Sequence, residues 1–225
     1  MNTPDVAHMN NLTNEPKRTC QWLPYLASCP PVTYKKGDVI IKASTPATHA
    51  LFLEEGMVKT IKENANGKTN ILEMNKQGNF MGLICLFSGT KNDYTSIALT
   101  KTKVRYIAAS QLEQIFKDQP RLQDEILKST FQIAKKNINR LITINNKQLP
   151  GRVADVLLYF YELNNKTEQF EFPLSREELA QFSGTTKESF IRTLTEFKND
   201  KIIIIDGKNI TINSMEIVRT LSRLG

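Results

Sequence analysis

The sequence predicts an α+β chain: an N-terminal antiparallel β barrel or sandwich, a long connecting helix and a C-terminal winged helix-turn-helix. Three observations predict it. Short apolar-rich runs alternate with turn residues between Val32 and Ile107, a spacing that belongs to all-β domains. A stripe of helical period, apolar from Leu127 to Leu141, lies inside a helix opened by Pro120. Two helix-start signatures, at Ser175 and Thr185, flank Gly184 and precede an apolar hairpin pattern.

Residues 1–31 form a polar lead rich in Asn, Thr and Pro, in which Trp22, Leu23, Tyr25 and Leu26 are expected to dock one short helix. Residues 32–119 form the first domain. Asp38–Lys42, His49–Leu53, Gly56–Ile61, Thr69–Met74, Thr95–Leu99 and Val104–Ile107 read as strands. Asn64–Lys68 reads as a hairpin link, because Asn and Gly tolerate positive φ. Met81, Leu83, Ile84, Leu86 and Phe87 read as the apolar interior of the β domain. The texture then turns helical at Ser110-Gln-Leu-Glu113, a capping-box pattern followed by Ile115 and Phe116.

Residues 120–149 read as one helix. Leu127, Phe131, Ala134, Ile138, Leu141 and Asn145 are spaced 4, 3, 4, 3 and 4 apart, a heptad seam that predicts pairing with a second copy of the chain. Ile126 and Ile133 form a second stripe for the helix's own domain. Pro150-Gly151 ends the helix and opens residues 150–225, the second domain. There, helices are expected over Arg152–Leu163, Arg176–Ser183 and Thr186–Lys198, with a strand at Phe170–Leu174. Leu179, Phe190 and Leu194 supply the core of the crossed helices, and small Ala180 lets them approach. Ile202–Ile212, turning at Asp206-Gly207, reads as the wing.

This order points to duplex DNA. The second crossed helix presents Lys187, Glu188 and Arg192 near its N-terminal end, the end that enters a major groove. Arg bonds guanine O6 and N7 in bidentate fashion, and Glu accepts from cytosine N4. Arg176, Thr186, Lys187, Ser189 and, on the wing, Lys208 complete the candidate DNA-contacting set. A plainer reading makes Glu188 the closing residue of a Thr185–Glu188 capping box, with Arg192 as its ion pair. Charge alone does not decide. The net charge is +7, but residues 151–225 hold 10 Lys/Arg against 11 Asp/Glu. A competing reading, a small-molecule module whose helical tail binds protein, draws on that near-neutral tail.

Composition excludes other classes. No apolar run reaches the ~18 residues of a membrane span. Residues 1–17 lack the apolar core of a secretory signal, so a cytoplasmic chain is expected. Cys20, Cys29 and Cys85 are too few for a disulfide framework. The chain has no phosphate-binding Walker loop, no His-rich metal motif and no Gly-x-Ser-x-Gly elbow, so no enzyme and no cofactor is expected.

The run from Ser175 to Arg192 resembles the helix-turn-helix signature of the CRP/FNR family, the cAMP receptor protein and fumarate-nitrate regulator group. Tyr34–Ile40, Leu51–Gly56 and Gly78–Gly82 resemble the family's β-roll, so the likeness spans roughly residues 32–215. It implies a double-stranded β-roll sensor (32–119), a dimerisation helix (120–149) and a C-terminal winged helix-turn-helix (150–225). It also implies a homodimer on near-palindromic sites, base reading from the positions of Glu188 and Arg192, and RNA polymerase as a partner.

The departures concern the input. In cAMP-binding members a Glu follows the glycine at Gly82 to hold the ribose, and an Arg-Ser pair holds the phosphate. Here Leu83 and Asn92-Asp93 stand at those places, and Lys91 is the one cation nearby. An anionic phosphate buried without a cation costs several kcal/mol, so no cAMP is expected. Met81, Gly82, Leu83, Ile84, Asn92 and Asp93 remain the candidate effector pocket, with packing and no ligand as the favoured state. Iron–sulfur relatives use four cysteines; three are too few, and a redox-sensing thiol is the lesser alternative. A haem would need His8 or His49, the two histidines present.

Overall fold

The computed structural model describes residues 15–65, 67 and 69–225, which leaves His8 outside the described residues. The chain divides into two compact units. One holds the residues up to Glu63 with Leu72–Thr130, the other Asn64–Ile71 with Phe131–Gly225.

The first unit is a β-roll of two four-stranded sheets. One is ordered β1 (Pro31–Tyr34), β8 (Thr102–Ala108), β3 (His49–Glu55) and β6 (Phe80–Met81). The other is ordered β2 (Val39–Ile41), β7 (Thr95–Ala98), β4 (Met57–Glu63) and β5 (Thr69–Lys76). Gly67, at φ +76°, donates its N–H to Asn64 O in the link between β4 and β5. Side chains alternate across a strand, and β3 is covered on both faces. Leu51 and Leu53 join Ile41, Val58, Met81 and Val104 in the core between the sheets. Ala50 and Phe52 join Trp22, Leu26, Ile107 and Leu112 in a second core beneath helices. That double burial is why Ala50–Leu53 reads as an unbroken apolar run.

The helical cover is α1 (Glu15–Trp22) with a 3₁₀ turn at Leu23–Leu26, α2 (Leu83–Ser88), α3 (Ala109–Asp118) and the start of α4 (Pro120–Asn146). Trp22 packs edge-on against Phe80, with ring centroids 4.6 Å apart. Trp22 and Leu26 dock as expected, whereas Tyr25 is exposed. Arg105 ties this lead down. Its Nε donates to Glu54 Oε2 at 2.6 Å, and its Nη1 donates to the carbonyls of Leu26 and Cys29 at 3.1 and 2.6 Å.

Two expectations are corrected here. The 81–87 segment does not line the roll interior as a set. Its last residues form α2, and a helix turns about 100° per residue rather than alternating. Met81 faces the core between the sheets, Leu83 joins the core beneath the helices, and Ile84 and Phe87 are exposed. The Ser110–Glu113 capping box does not form either. Strand β8 pairs as far as Ala108, α3 follows at once from Ala109, and the N-cap Ala108 makes no side-chain bond.

The second unit takes the rest of α4, then α5 (Leu149–Leu163), β9 (Gln169–Glu171), α6 (Arg176–Phe182), α7 (Lys187–Asn199), β10 (Ile203–Asp206), β11 (Asn209–Ile212) and α8 (Met215–Leu224). Its sheet is ordered β10-β11-β9. Phe160, Phe172, Leu179, Phe190 and Leu194 are fully or nearly fully buried at its centre. Helix α8, which the sequence reading did not anticipate, packs on α5 so closely that a Cβ on Gly151 would lie 2.7 Å from Gly225 Cα. Among the described residues no helix is long and apolar enough to cross a membrane.

Candidate nucleic-acid interface

Helix α6 begins with the capping box that the sequence predicts. Ser175 Oγ accepts from Glu178 N at 3.2 Å, and Ser175 N donates to Glu178 Oε2 at 2.7 Å. It ends in a left-handed cap. Gly184, at φ +68°, donates to Gln181 O at 3.1 Å, and Thr185 N donates to Ala180 O at 2.9 Å. These two bonds make a Schellman motif, which uses up two carbonyls at the helix end. The turn is crowded: a Cβ on Gly184 would lie 2.7 Å from Ile144 Cγ2. Arg152 Nη1 donates to Gly184 O at 2.7 Å and ties α5 to the turn.

Because the Thr185 N–H closes that motif, α7 starts one residue later than its signature suggests. Thr186 is the N-cap, and its Oγ1 accepts from Ser189 N at 3.3 Å. The expected Thr185–Glu188 box is therefore absent, and Glu188 sits in the first turn with its side chain in solvent. In place of the Glu188–Arg192 ion pair of the plainer reading, Arg192 faces Glu196. Arg192 Nε lies 4.0 Å from Glu196 Oε1, with both side chains more than half exposed, a contact that salt screens and that holds little.

Phe190, Thr193, Leu194 and Phe197 bury one face of α7. The opposite face leaves Lys187, Glu188, Ile191, Arg192 and Thr195 exposed. Beside it, β10 and β11 pair down to Asp206 and Asn209, so the wing tip is the two-residue turn Gly207-Lys208, with Gly207 at φ +58°. Lys208 is exposed at the tip, and its carbonyl accepts from Phe172 N at 3.0 Å. Arg176 is only half exposed. Its Nη2 donates to Gly207 O at 2.6 Å and its guanidinium lies over the Phe172 ring at 5.4 Å. Burial pulls its pKa below the ordinary arginine value. Arg176 thus fastens α6 to the wing tip.

The seam residues Leu127, Phe131, Ile138 and Leu141 are exposed by 46%, 69%, 57% and 61%, while Leu122 and Ile126 on the other side of α4 are buried. Ala134 is half-buried between them. The candidate effector residues stand in different surroundings. Met81 and Leu83 sit in different cores, Gly82 is a left-handed N-cap to α2, and Ile84 is exposed. Asn92 Nδ2 donates to Thr45 Oγ1 and Pro46 O at 3.1 and 3.3 Å, so its amide straps a loop. Asp93 is exposed, and its backbone N–H donates to Cys85 Sγ at 3.4 Å. Cys29 Sγ donates to Gln111 Oε1 at 3.1 Å, and Cys20 is exposed. His49 is exposed and shares a 2.8 Å hydrogen bond with Thr48 Oγ1.

The sequence reading missed two residues of this interface. Ile191 is an exposed apolar side chain three residues from Glu188 on the outer face of α7, and that offset was legible. Arg152 reaches a carbonyl 32 residues away and leaves no local signal.

Residues 31–119 match the family of cyclic nucleotide-binding domains, and residues 151–221 match the family of Crp-like helix-turn-helix domains. The chain is 24% identical over 192 residues to the CRP-like cAMP-activated global transcriptional regulator of Mycobacterium tuberculosis, covering 83% of this chain and 85% of that one. It is 28% identical over 189 residues to flp of Lacticaseibacillus casei, named a probable transcriptional regulator, covering 81% and 82%. FixK2 from Bradyrhizobium japonicum superposes with a TM-score of 0.75 at 20% identity, covering 86% of this chain and 96% of that one. The c-di-GMP responsive global regulator CLP of Xanthomonas campestris superposes with a TM-score of 0.75 at 19% identity, covering 88% and 99%. Relatives named as transcription regulators favour the DNA-reading expectation over the competing small-molecule module.

Proposed function

The chain belongs to the CRP/FNR family of transcription regulators, and from that premise we propose that it reads near-palindromic promoter DNA as a homodimer, each copy placing α7 in one major groove. The observation that carries this is the outer face of α7, which holds Glu188, Ile191 and Arg192 exposed beside a wing tip tied back by Arg176. Arg192 bonds guanine O6 and N7, Glu188 accepts from cytosine N4, and Ile191 packs on a thymine methyl. Thr186, Lys187 and Ser189 at the helix start, and Lys208 at the wing tip, meet phosphates. Arg176 acts on DNA through the wing it positions. Leu127, Phe131, Ala134, Ile138 and Leu141 pair the two α4 helices, which sets the spacing of the half-sites. On a promoter the dimer meets RNA polymerase, and its work is binding in the cytoplasm, not catalysis.

The Mycobacterium relative is named for activation by cAMP; this chain works without it. Leu83 is core packing, the Asn92 amide is engaged, and Asp93 would repel a cyclic phosphate. Titration calorimetry with cAMP checks this, and saturable heat would refute it.

The DNA reading is tested with Arg192→Ala in fluorescence anisotropy on the protein's own footprinted site. The variant loses about 1–3 kcal/mol on that site and relaxes preference at one guanine, while binding to random duplex holds. Equal losses on both duplexes would sink the base-reading role.

A further inference from the structure

Only Lys147 and Gln148 separate α4 from α5. Even there the backbone stays bonded: Lys147 N donates to Thr143 O at 2.9 Å, and Arg152 N donates to Gln148 O at 3.1 Å. Side chains then brace the bend. Lys147 Nζ donates to both carboxylate oxygens of Asp155 on α5, at 3.0 and 2.9 Å, and Ser222 Oγ of α8 donates to Asp155 Oδ1 at 2.5 Å. An exposed ion pair holds little. The Lys147 and Asp155 side chains are only 23% and 28% exposed, and the carboxylate accepts all three bonds.

Lys147 is the last of a row. Arg140, Ile144 and Lys147 are four and three residues apart, so they share one face of α4. Arg140 lays its guanidinium 4.4 Å from the centroid of the Phe182 ring on α6. Ile144 abuts the helix-turn-helix turn, since a Cβ on Gly184 would lie 2.7 Å from its Cγ2. Arg152 ties the same turn to α5. All of these residues lie in the second compact unit. A helix turns about 100° per residue, so the row stands about a third of a turn round α4 from Ile138, Leu141 and Asn145. One face of α4 holds its own helix-turn-helix, and the seam keeps another.

We propose that Lys147, Asp155 and Ser222 are positioning residues for DNA reading: they lock the α4–α5 junction, so that α4 carries the helix-turn-helix as one body and the dimer accepts a single half-site spacing. The proposal rests on the dimeric DNA reading. It adds that pairing along α4 does not fix the spacing by itself, because a junction free to swivel at residues 147–148 would let α7 sweep an arc. One extra base pair moves a half-site by about 3.4 Å and turns it by about 35°. A rigid dimer then has to twist the DNA or release one half-site.

Two measurements on the full chain test it. Hydrogen exchange reads the brace without DNA: in Lys147→Met the amides of Lys147 and Arg152 exchange about tenfold faster or more, while the strands of the β-roll keep their rates. Fluorescence anisotropy reads the spacing, on palindromes with one base pair added or removed between the half-sites. Wild type loses about tenfold or more on the altered sites, and Lys147→Met loses about threefold or less. A merely structural loss would lower affinity on every site alike and leave the spacing penalty as it was. Lys147→Asp combined with Asp155→Lys restores both the slow exchange and the penalty. Unchanged exchange in Lys147→Met, a spacing penalty equal to that of wild type, or a wild type indifferent to spacing overturns the proposal. Failure to bind any duplex sinks the DNA reading, and the spacing claim with it, while the exchange result still decides the brace.

Discussion

Gly184→Ala puts a number on the helix-turn-helix turn. Two terms oppose the new methyl. The backbone sits at φ +68°, where a non-glycine residue costs about 1–2 kcal/mol. The Cβ would also lie 2.7 Å from Ile144 Cγ2 and 3.3 Å from Arg152 Nη1. The arginine can swing aside by giving up its bond to Gly184 O, but Ile144 is a stiff β-branched residue on α4. Crowding a packed site costs about 1–3 kcal/mol, so the sum is about 2–5 kcal/mol, a large part of the ~5–15 kcal/mol that holds a typical domain. Urea unfolding followed by circular dichroism reads it as a lower midpoint at unchanged slope. In an Ile144→Ala background the steric term vanishes and the penalty falls to the backbone part alone. Gly184→Asn separates the terms the other way, since Asn tolerates the left-handed region but keeps the Cβ. A Gly184→Ala loss below about 0.5 kcal/mol, within the range of ordinary surface changes, would refute the reasoning. So would a penalty untouched by Ile144→Ala.

Two further outcomes follow from the same geometry. Thr186→Ala costs about 1 kcal/mol of unfolding free energy because it removes the N-cap of α7, whereas Glu188→Ala leaves stability within about 0.5 kcal/mol; the reverse order in urea titrations would restore the Thr185–Glu188 box. Arg105→Ala leaves Glu54, whose side chain is 17% exposed, with only Lys103 at 3.8 Å and costs about 1.5–3 kcal/mol, seen as an early unfolding transition, and a loss under about 0.5 kcal/mol would show that the strap to Leu26 and Cys29 holds little.

The parts of the fold legible in the sequence were those with a strong period. Strand β3 declared itself by the run Ala50–Leu53, and the seam of α4 by its 4-3 spacing. Helix α2 was missed because six apolar residues in seven carry no period that separates a short helix from other interior structure, and the left-handed turn at Gly82 that starts the helix is not visible in the sequence. The cap of α7 was misplaced by one residue because two threonines stand in tandem. Which one caps depends on the Schellman bond that Thr185 makes backwards to Ala180, not on anything ahead of it. Helix α8 carries a Ser214 cap and a spaced Val218 and Leu221, but it lies beyond the wing, where no motif directed attention. The roles of Arg105, Arg152 and Arg176 were invisible for one reason. Each reaches backbone carbonyls far along the chain, and single-sequence patterning records only near neighbours.

The misplaced cap changes how the near-neutral second domain would read DNA. A Glu188 closed into a capping box would have its charge satisfied by the backbone and be electrically quiet toward DNA. With the cap at Thr186, the carboxylate is exposed on the face that enters the groove. In the proposed complex it approaches a polyanion, and only a donor such as cytosine N4 offsets that repulsion. On random sequence Glu188 works against binding, while the first turn of α7, with its partial positive charge, and Lys187 work for it. The loss on random sequence exceeds the loss on the cognate site, so discrimination rises as overall affinity falls. A domain built this way has no use for a large basic surplus, which fits the 10 basic against 11 acidic residues of residues 151–225. It also sets the sign of a measurable quantity: Glu188→Ala strengthens binding to random duplex more than to the cognate site, so the ratio of specific to non-specific affinity falls.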